Sequence, residues 1–129
     1  MKKNQAMSDS ERELMKLVWD NGGSIFIAEL LDKVEMNSKE WKRTTVLTFL
    51  NRLTEKGFIV TEKHGRMNRY IATISEGEYM ANQTRTFLKD VYGGNAKDLV
   101  ASLLQQDYLS GNDFEELNKY WNEGWDKKR

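Results

Sequence analysis

The chain of 129 residues contains no cysteine and no proline, and a single histidine. Without cysteine there is no disulfide, no thiolate metal site and no thiol nucleophile. That fits a cytoplasmic protein. Without proline, long elements run uninterrupted and a proline-rich linker is excluded. No apolar run approaches the roughly 20 residues that a membrane-spanning helix needs. The N-terminal stretch MKKNQAMSDSERE also lacks the apolar centre of a secretory signal. No membrane insertion is expected. Catalytic signatures are missing too: there is no metal-ligand spacing, phosphate loop or nucleophile elbow. His64 falls in a hairpin tip and reads as a surface residue, and Glu115-Glu116 reads as a solvated helix face. The chain is read as a non-enzyme with no cofactor and no bound metal.

What is present is enough to fold. Hydrophobic residues make up 39% of the chain and charged residues 31%, so an ordered domain is expected, with room for a small appendage. Net charge is zero, but its distribution is uneven. From Ser38 to Arg69 there are eight Lys/Arg against three Asp/Glu. The flanking segments are net acidic, five against seven before and seven against ten after. Positive charge concentrated in one stretch is an electrostatic footprint for phosphate.

Helix signals open the chain. Ser8 or Ser10 is placed to cap a first helix with Leu14, Leu17, Val18 and Trp19 on its apolar side, and Asn21-Gly22-Gly23 ends it. Ser24-Ile25-Phe26 reads as a short strand. A second helix is expected from about Ile27 to Val34, burying Ile27, Leu30, Leu31 and Val34. Residues 35–41 form a turn in which Trp41 is expected to pack.

The segment from Lys42 to Arg69 is the most informative. A third helix is expected from about Lys42 to Lys56, closed by Gly57. On a helical wheel Val46, Leu50 and Leu53 share one side, flanked by Phe49. Thr44, Thr48, Asn51 and Arg52 fall on the opposite side, where they can bond base edges and phosphates. Phe58–Thr61 and Tyr70–Thr73 read as paired strands with His64-Gly65-Arg66 at the tip. The order helix, strand, helix, helix, strand, turn, strand is that of a winged helix-turn-helix.

The rest reads as helical. Ser75 and Glu78 make a capping box that opens a helix carrying Tyr79, Phe87, Leu88, Val91 and Tyr92, which stops at Gly93-Gly94. Residues Asn95 to about Gln106 form another helix with Leu99, Val100, Leu103 and Leu104 on one side. Ser110 and Asp113 open a last one with Phe114, Leu117, Tyr120, Trp121 and Trp125. The expected fold is therefore mainly α with a small β-hairpin. Residues 1–74 form a winged-helix DNA-binding domain and residues 75–129 a helical dimerisation region. These last helices are too apolar for a solvated tail; they either fold back onto the first domain or pair with a second copy, and pairing is the favoured reading. Phe87, Val91, Leu99, Leu103, Phe114, Leu117, Trp121 and Trp125 are the candidate dimer residues.

Local matches to a known family run through nearly the whole chain. They are SERELMKLVWDNG near the start, WKRTTVLTFLNRLTEKGFI in the middle, EKHGRMNRYIATISEGEY after it, and FLKDVYGGNAKDLV at residues 87–100. In these the chain resembles the penicillinase-repressor family of bacterial transcriptional regulators, the BlaI/MecI/CopY type. The resemblance implies a homodimer whose two winged helices bind a palindromic operator in double-stranded DNA. It also implies repression of antibiotic-resistance or metal-homeostasis genes. In the β-lactam branch a membrane sensor protease system signals cleavage within the dimerisation region, and the matching bond here is Ser102–Leu103. The copper branch senses metal through a cysteine cluster, which this chain lacks.

The expected DNA contacts are Lys42, Arg43, Thr44, Thr45, Thr48, Asn51 and Arg52 on the third helix, with Lys63, Arg66 and Arg69 on the wing. The regulated gene is expected to be one of antibiotic resistance or stress response. Two other readings stand beside this one. In the first, a small ligand bound between the wing domain and the dimer helices, against Tyr120, Trp121 and Trp125, controls the repressor. In the second, the winged helix contacts proteins only.

Overall fold

The computed structural model describes residues 6–37 and 39–124. Among them the order is α1 (Asp9–Asp20), β1 (Ser24–Phe26), α2 (Ile27–Met36), α3 (Arg43–Glu55), β2 (Ile59–His64), β3 (Met67–Ala72), α4 (Glu76–Tyr92), α5 (Ala96–Gln105), α6 (Gly111–Lys119), and a π-helical turn at Tyr120–Gly124. The three strands form one antiparallel sheet in the order β1-β3-β2. Helices, a short first strand and a hairpin in this arrangement make a winged helix-turn-helix, the fold expected from the sequence.

Each boundary has a local cause. Ser8 caps α1: its Oγ accepts the Glu11 N–H, and the Glu11 carboxylate accepts the Ser8 N–H, a reciprocal capping box. Gly57 takes φ +88° directly after α3, a left-handed position that ends the helix at little steric cost. α2 runs to Met36, past the expected end at Val34. The two residues beyond Val34 are exposed, Met36 at 79%, so no apolar periodicity announced them. The hairpin is also longer than expected. β2 reaches His64 and β3 begins at Met67, leaving Gly65-Arg66 as a two-residue turn. Gly65 takes φ +65°, as the tight turn requires of its first central residue.

Alternation along the strands sorts the sheet into two faces. Ile25, Ile59 and Tyr70 are buried on one. Val60 and Met67, on the other, are about half exposed. The core joins that inner face to Leu14, Met15 and Val18 of α1, Leu30 and Val34 of α2, and Val46, Leu50 and Leu53 of α3. Leu50 is 1% exposed. Leu50→Ala removes that side chain and leaves a cavity, at an expected cost of about 2–5 kcal/mol in urea unfolding. A loss below about 1 kcal/mol would mean that α3 is not anchored through this residue.

The chain divides into two compact units, the first running through Gln83 and the second from Thr84. That division lies inside α4, some residues beyond the expected 74/75 boundary. Tyr79, expected among the C-terminal helices, is only 5% exposed and belongs to the winged-helix core. Its ring meets Trp19 at 6.1 Å and Phe58 at 5.5 Å, and its hydroxyl accepts the Met7 N–H at 2.8 Å. The Trp19 indole N–H bonds the Ile74 carbonyl at 2.9 Å. Lys16 adds ion pairs to Asp20 and Glu76, which push its pKa up.

Candidate nucleic-acid interface

The site is built on α3, whose buried stripe fixes which side faces out. With Val46, Leu50 and Leu53 in the core, Arg43, Thr44, Thr48, Asn51 and Arg52 are exposed, and Thr45 is half-buried at the edge. Lys42 is also exposed and sits at the N-cap. The Thr48 hydroxyl donates to the Thr44 carbonyl at 2.9 Å. It therefore offers a base edge a methyl group and an acceptor, not a free donor.

α2 and α3 both start without a side-chain cap bond, but the first turn of α2 carries Glu29 and that of α3 has no acidic residue. α1, α4, α5 and α6 open with Ser8, Ser75, Asn95 and Ser110, each accepting an N–H of its own first turn, and each first turn carries an acidic residue. α3 opens with Lys42, which makes no side-chain cap bond, and its first turn holds no acidic residue. Cations at a helix N-terminus oppose the helix dipole. They suit a place where an anion docks on the free N–H groups. Trp41 holds this end in place by packing, as expected, edge-on to Phe49 at 5.0 Å. Lys39 lies 5.5 Å over the Trp41 ring and pairs with Glu13 at 2.7 Å.

The wing cations are placed differently from one another. Lys63 is exposed on β2, and Arg66 is exposed at the turn. Arg69 is half-buried on β3, where its guanidinium bonds the Ser24 Oγ at 2.9 Å and lies 3.8 Å from the Glu62 carboxylate. His64 also leans on Glu62 at 3.0 Å and meets the Phe26 ring edge-on at 5.6 Å. By register, Lys63 and Arg69 are on opposite faces of the hairpin. α3 and the wing belong to the same compact unit.

One feature of this unit left no signal in the apolar pattern. Glu11 is 2% exposed, and its Oε1 accepts the Lys56 ammonium at 2.7 Å. Lys56 is the C-cap of α3 and also donates to the Ala6 carbonyl at 2.9 Å. Burial pushes the Glu11 carboxyl up. The bond from Lys56 and that from the Ser8 N–H outweigh it, and the pKa ends below the ordinary 4.5. A lowered folded-state value stabilises the fold above pH 4.5 and is lost as pH falls through it. Wild type is therefore expected to lose more of its urea midpoint than Glu11→Gln on going from pH 6 to about pH 3. Parallel losses would remove Glu11 from the acid response.

Phe87, Val91, Phe114, Leu117 and Trp121 are each roughly half exposed, and Leu99 and Leu103 are half-buried. Trp125 lies outside the described residues. Among the described residues from 84 onward, none is buried. Ser102 and Leu103 are in the last turn of α5, and their carbonyls accept the N–H groups of Gln106 and Tyr108.

A winged helix with an outward polar α3 and a basic hairpin defines a DNA-binding transcriptional regulator. The chain belongs to the penicillinase repressor family, whose model matches residues 7–123. It is 33% identical to the penicillinase repressor of Bacillus licheniformis, over all of this chain and 99% of that protein. It is similar in structure to the DNA-binding domain of the repressor BlaI, with a TM-score of 0.54 and 37% identity, covering 61% of this chain and 94% of that one. A second similar structure is the monomeric form of Bacillus licheniformis BlaI in complex with the blaP half-operator. There the TM-score is 0.50 and the identity 32%, over 58% of this chain and 89% of that one. No described helix is long and apolar enough to cross a membrane.

Proposed function

We propose that this repressor acts in the cytoplasm as a homodimer on a palindromic operator, controlling a gene of β-lactam resistance or a stress response. α3 enters the major groove, and Lys63 and Arg66 hold the backbone beside it. The observation that carries this reading is the start of α3, which has no side-chain cap and a cationic first turn, beside an exposed row of Thr44, Thr48, Asn51 and Arg52. The complex of a similar protein with a half-operator supports it. Two copies fit the second unit, in which no described residue is buried. Each copy then supplies one half-site reader.

Relief by cleavage at Ser102–Leu103 fits the same scheme. Both residues are helical, so a protease needs that turn opened before it can cut. A cut there removes α6 from the dimer region and weakens operator binding. The membrane sensor protease system of the β-lactam branch is the proposed source of the signal.

The test is titration of the purified protein onto a duplex from its own upstream region, beside a scrambled duplex of equal length. Two protomers per site with clear preference for the natural sequence is the expected result. Equal binding to both duplexes would sink the reading and leave a protein-contact module.

A further inference from the structure

We propose that Glu11 and Lys56 are positioning residues for DNA recognition, a latch that sets the aim of α3. The inference rests on the reading that α3 is the operator-reading helix. Neither side chain lies among the outward residues of α3. Glu11 is on α1, where it closes the Ser8 capping box, and Lys56 caps the far end of α3.

Their geometry ties three segments at one point. The Glu11 Oε1 accepts both the Lys56 ammonium at 2.7 Å and the Ser8 N–H at 3.0 Å. The same ammonium donates to the Ala6 carbonyl at 2.9 Å. Met7, the next residue, is 8% exposed and donates its N–H to the Tyr79 hydroxyl at 2.8 Å. The short strap Ala6–Ser8 thus joins the end of α3 to the start of α1 and to the first turn of α4. Ala6 and Met7 are held from α3 and α4, and Ser8 is held by Glu11 of the helix it caps.

Stability alone gives a weak reason for this arrangement. Burying a carboxylate costs more than burying an apolar side chain of similar volume, and replacing such pairs by hydrophobic residues is often neutral or stabilising. What a charge-assisted bond at 2.7 Å adds is direction. The buried contacts of α3 are apolar, made by Val46, Leu50 and Leu53, and apolar burial is non-directional. A reading helix must hold its side chains to about 0.5 Å and 10–20° of the productive pose. Trp41 and Phe49 brace its N-terminal end. The Lys56 latch braces the other.

The decisive variants are Glu11→Gln and Lys56→Gln, with Lys56→Arg as the conservative control. Each is titrated onto the operator duplex and the scramble, at a temperature where thermal unfolding shows it fully folded. A latch predicts that Glu11→Gln lowers operator preference over the scramble by about tenfold. Simple electrostatics instead predicts stronger binding to operator and scramble alike with the preference unchanged, since removing a negative charge strengthens binding to any polyanion. Lys56→Gln is expected to match Glu11→Gln, the double variant to lose no more than either single one, and Lys56→Arg to retain most of the preference.

Three outcomes overturn the proposal. One is a destabilised Glu11→Gln whose operator preference is unchanged, which leaves a purely structural pair. Another is a Lys56→Gln that weakens operator and scramble alike while flattening the salt slope, which makes Lys56 a phosphate contact. In the third, wild type shows no operator preference. The operator reading itself then fails, and the latch has nothing to aim.

Discussion

Placing aspartate at both Val100 and Leu104, or at both Phe114 and Leu117, is expected to yield a monomer. Its affinity for the full operator should fall by about 10²–10⁴ while its affinity for a half-site changes little. Val100 and Leu104 are four residues apart on α5, each 43% exposed, so they share one face. Phe114 and Leu117 are three apart on α6, at 54% and 47%. Helices of 10 and 9 residues are marginal alone, whatever their caps. They need an apolar partner, and none of the described residues from 84 onward is buried in the single chain.

The size of the expected loss comes from linkage, not from contacts with DNA. In a dimer the second winged helix meets its half-site at an effective concentration in the millimolar range. In a monomer that advantage vanishes, although every recognition residue is intact. Sedimentation gives the mass, and titration on full and half operators gives the two affinities. A variant that stays dimeric, or a monomer with undiminished operator affinity, would remove the dimer from the mechanism.

The same contrast explains what could be read from the sequence. α1, α3 and α4 were legible because caps and apolar stripes agree there. Ser8 and Ser75 start two of them, Gly57 follows the end of the third, and Val46, Leu50 and Leu53 mark the buried side of α3. The wing was legible in place but not in length. Glu62, Lys63 and His64 are exposed strand residues, and an exposed ladder has no apolar alternation to announce it. Tyr79 follows a capping box, and nothing local reveals that its ring turns back to Trp19 and Phe58.

Glu11 was hidden for a related reason. An acidic residue in the first turn of a helix is ordinarily a solvated dipole partner. Its burial depends on Lys56, 45 residues away, and no sequence pattern links the two. Arg69 looked like Lys63 and Arg66 in the sequence. Only its cross-strand place opposite Glu62, beside Ser24, distinguishes it. In each case the missing information is tertiary pairing, which periodicity and propensity do not encode.

Salt should affect operator binding even more than the loss of the dimer. Lys42, Arg43, Arg52, Lys63 and Arg66 are five exposed cations per protomer on α3 and the wing. If both protomers place all of them on phosphates, the log–log slope of affinity against salt approaches about −9. Between 50 and 200 mM salt the affinity then falls by about 10⁵. A net charge of zero on the whole chain does not weaken this expectation, since release of counterions depends on the phosphates locally neutralised. Arg66→Gln, counted once per protomer, should reduce the slope by about 2 and weaken operator and scramble equally. Arg69→Gln should change it less, because that guanidinium already serves Ser24 and Glu62. Equal effects at the two positions would mean that Arg69 leaves Glu62 for phosphate when DNA binds. A wild-type slope no steeper than about −3 would show that the basic stretch from residue 38 to 69 is not what grips the backbone.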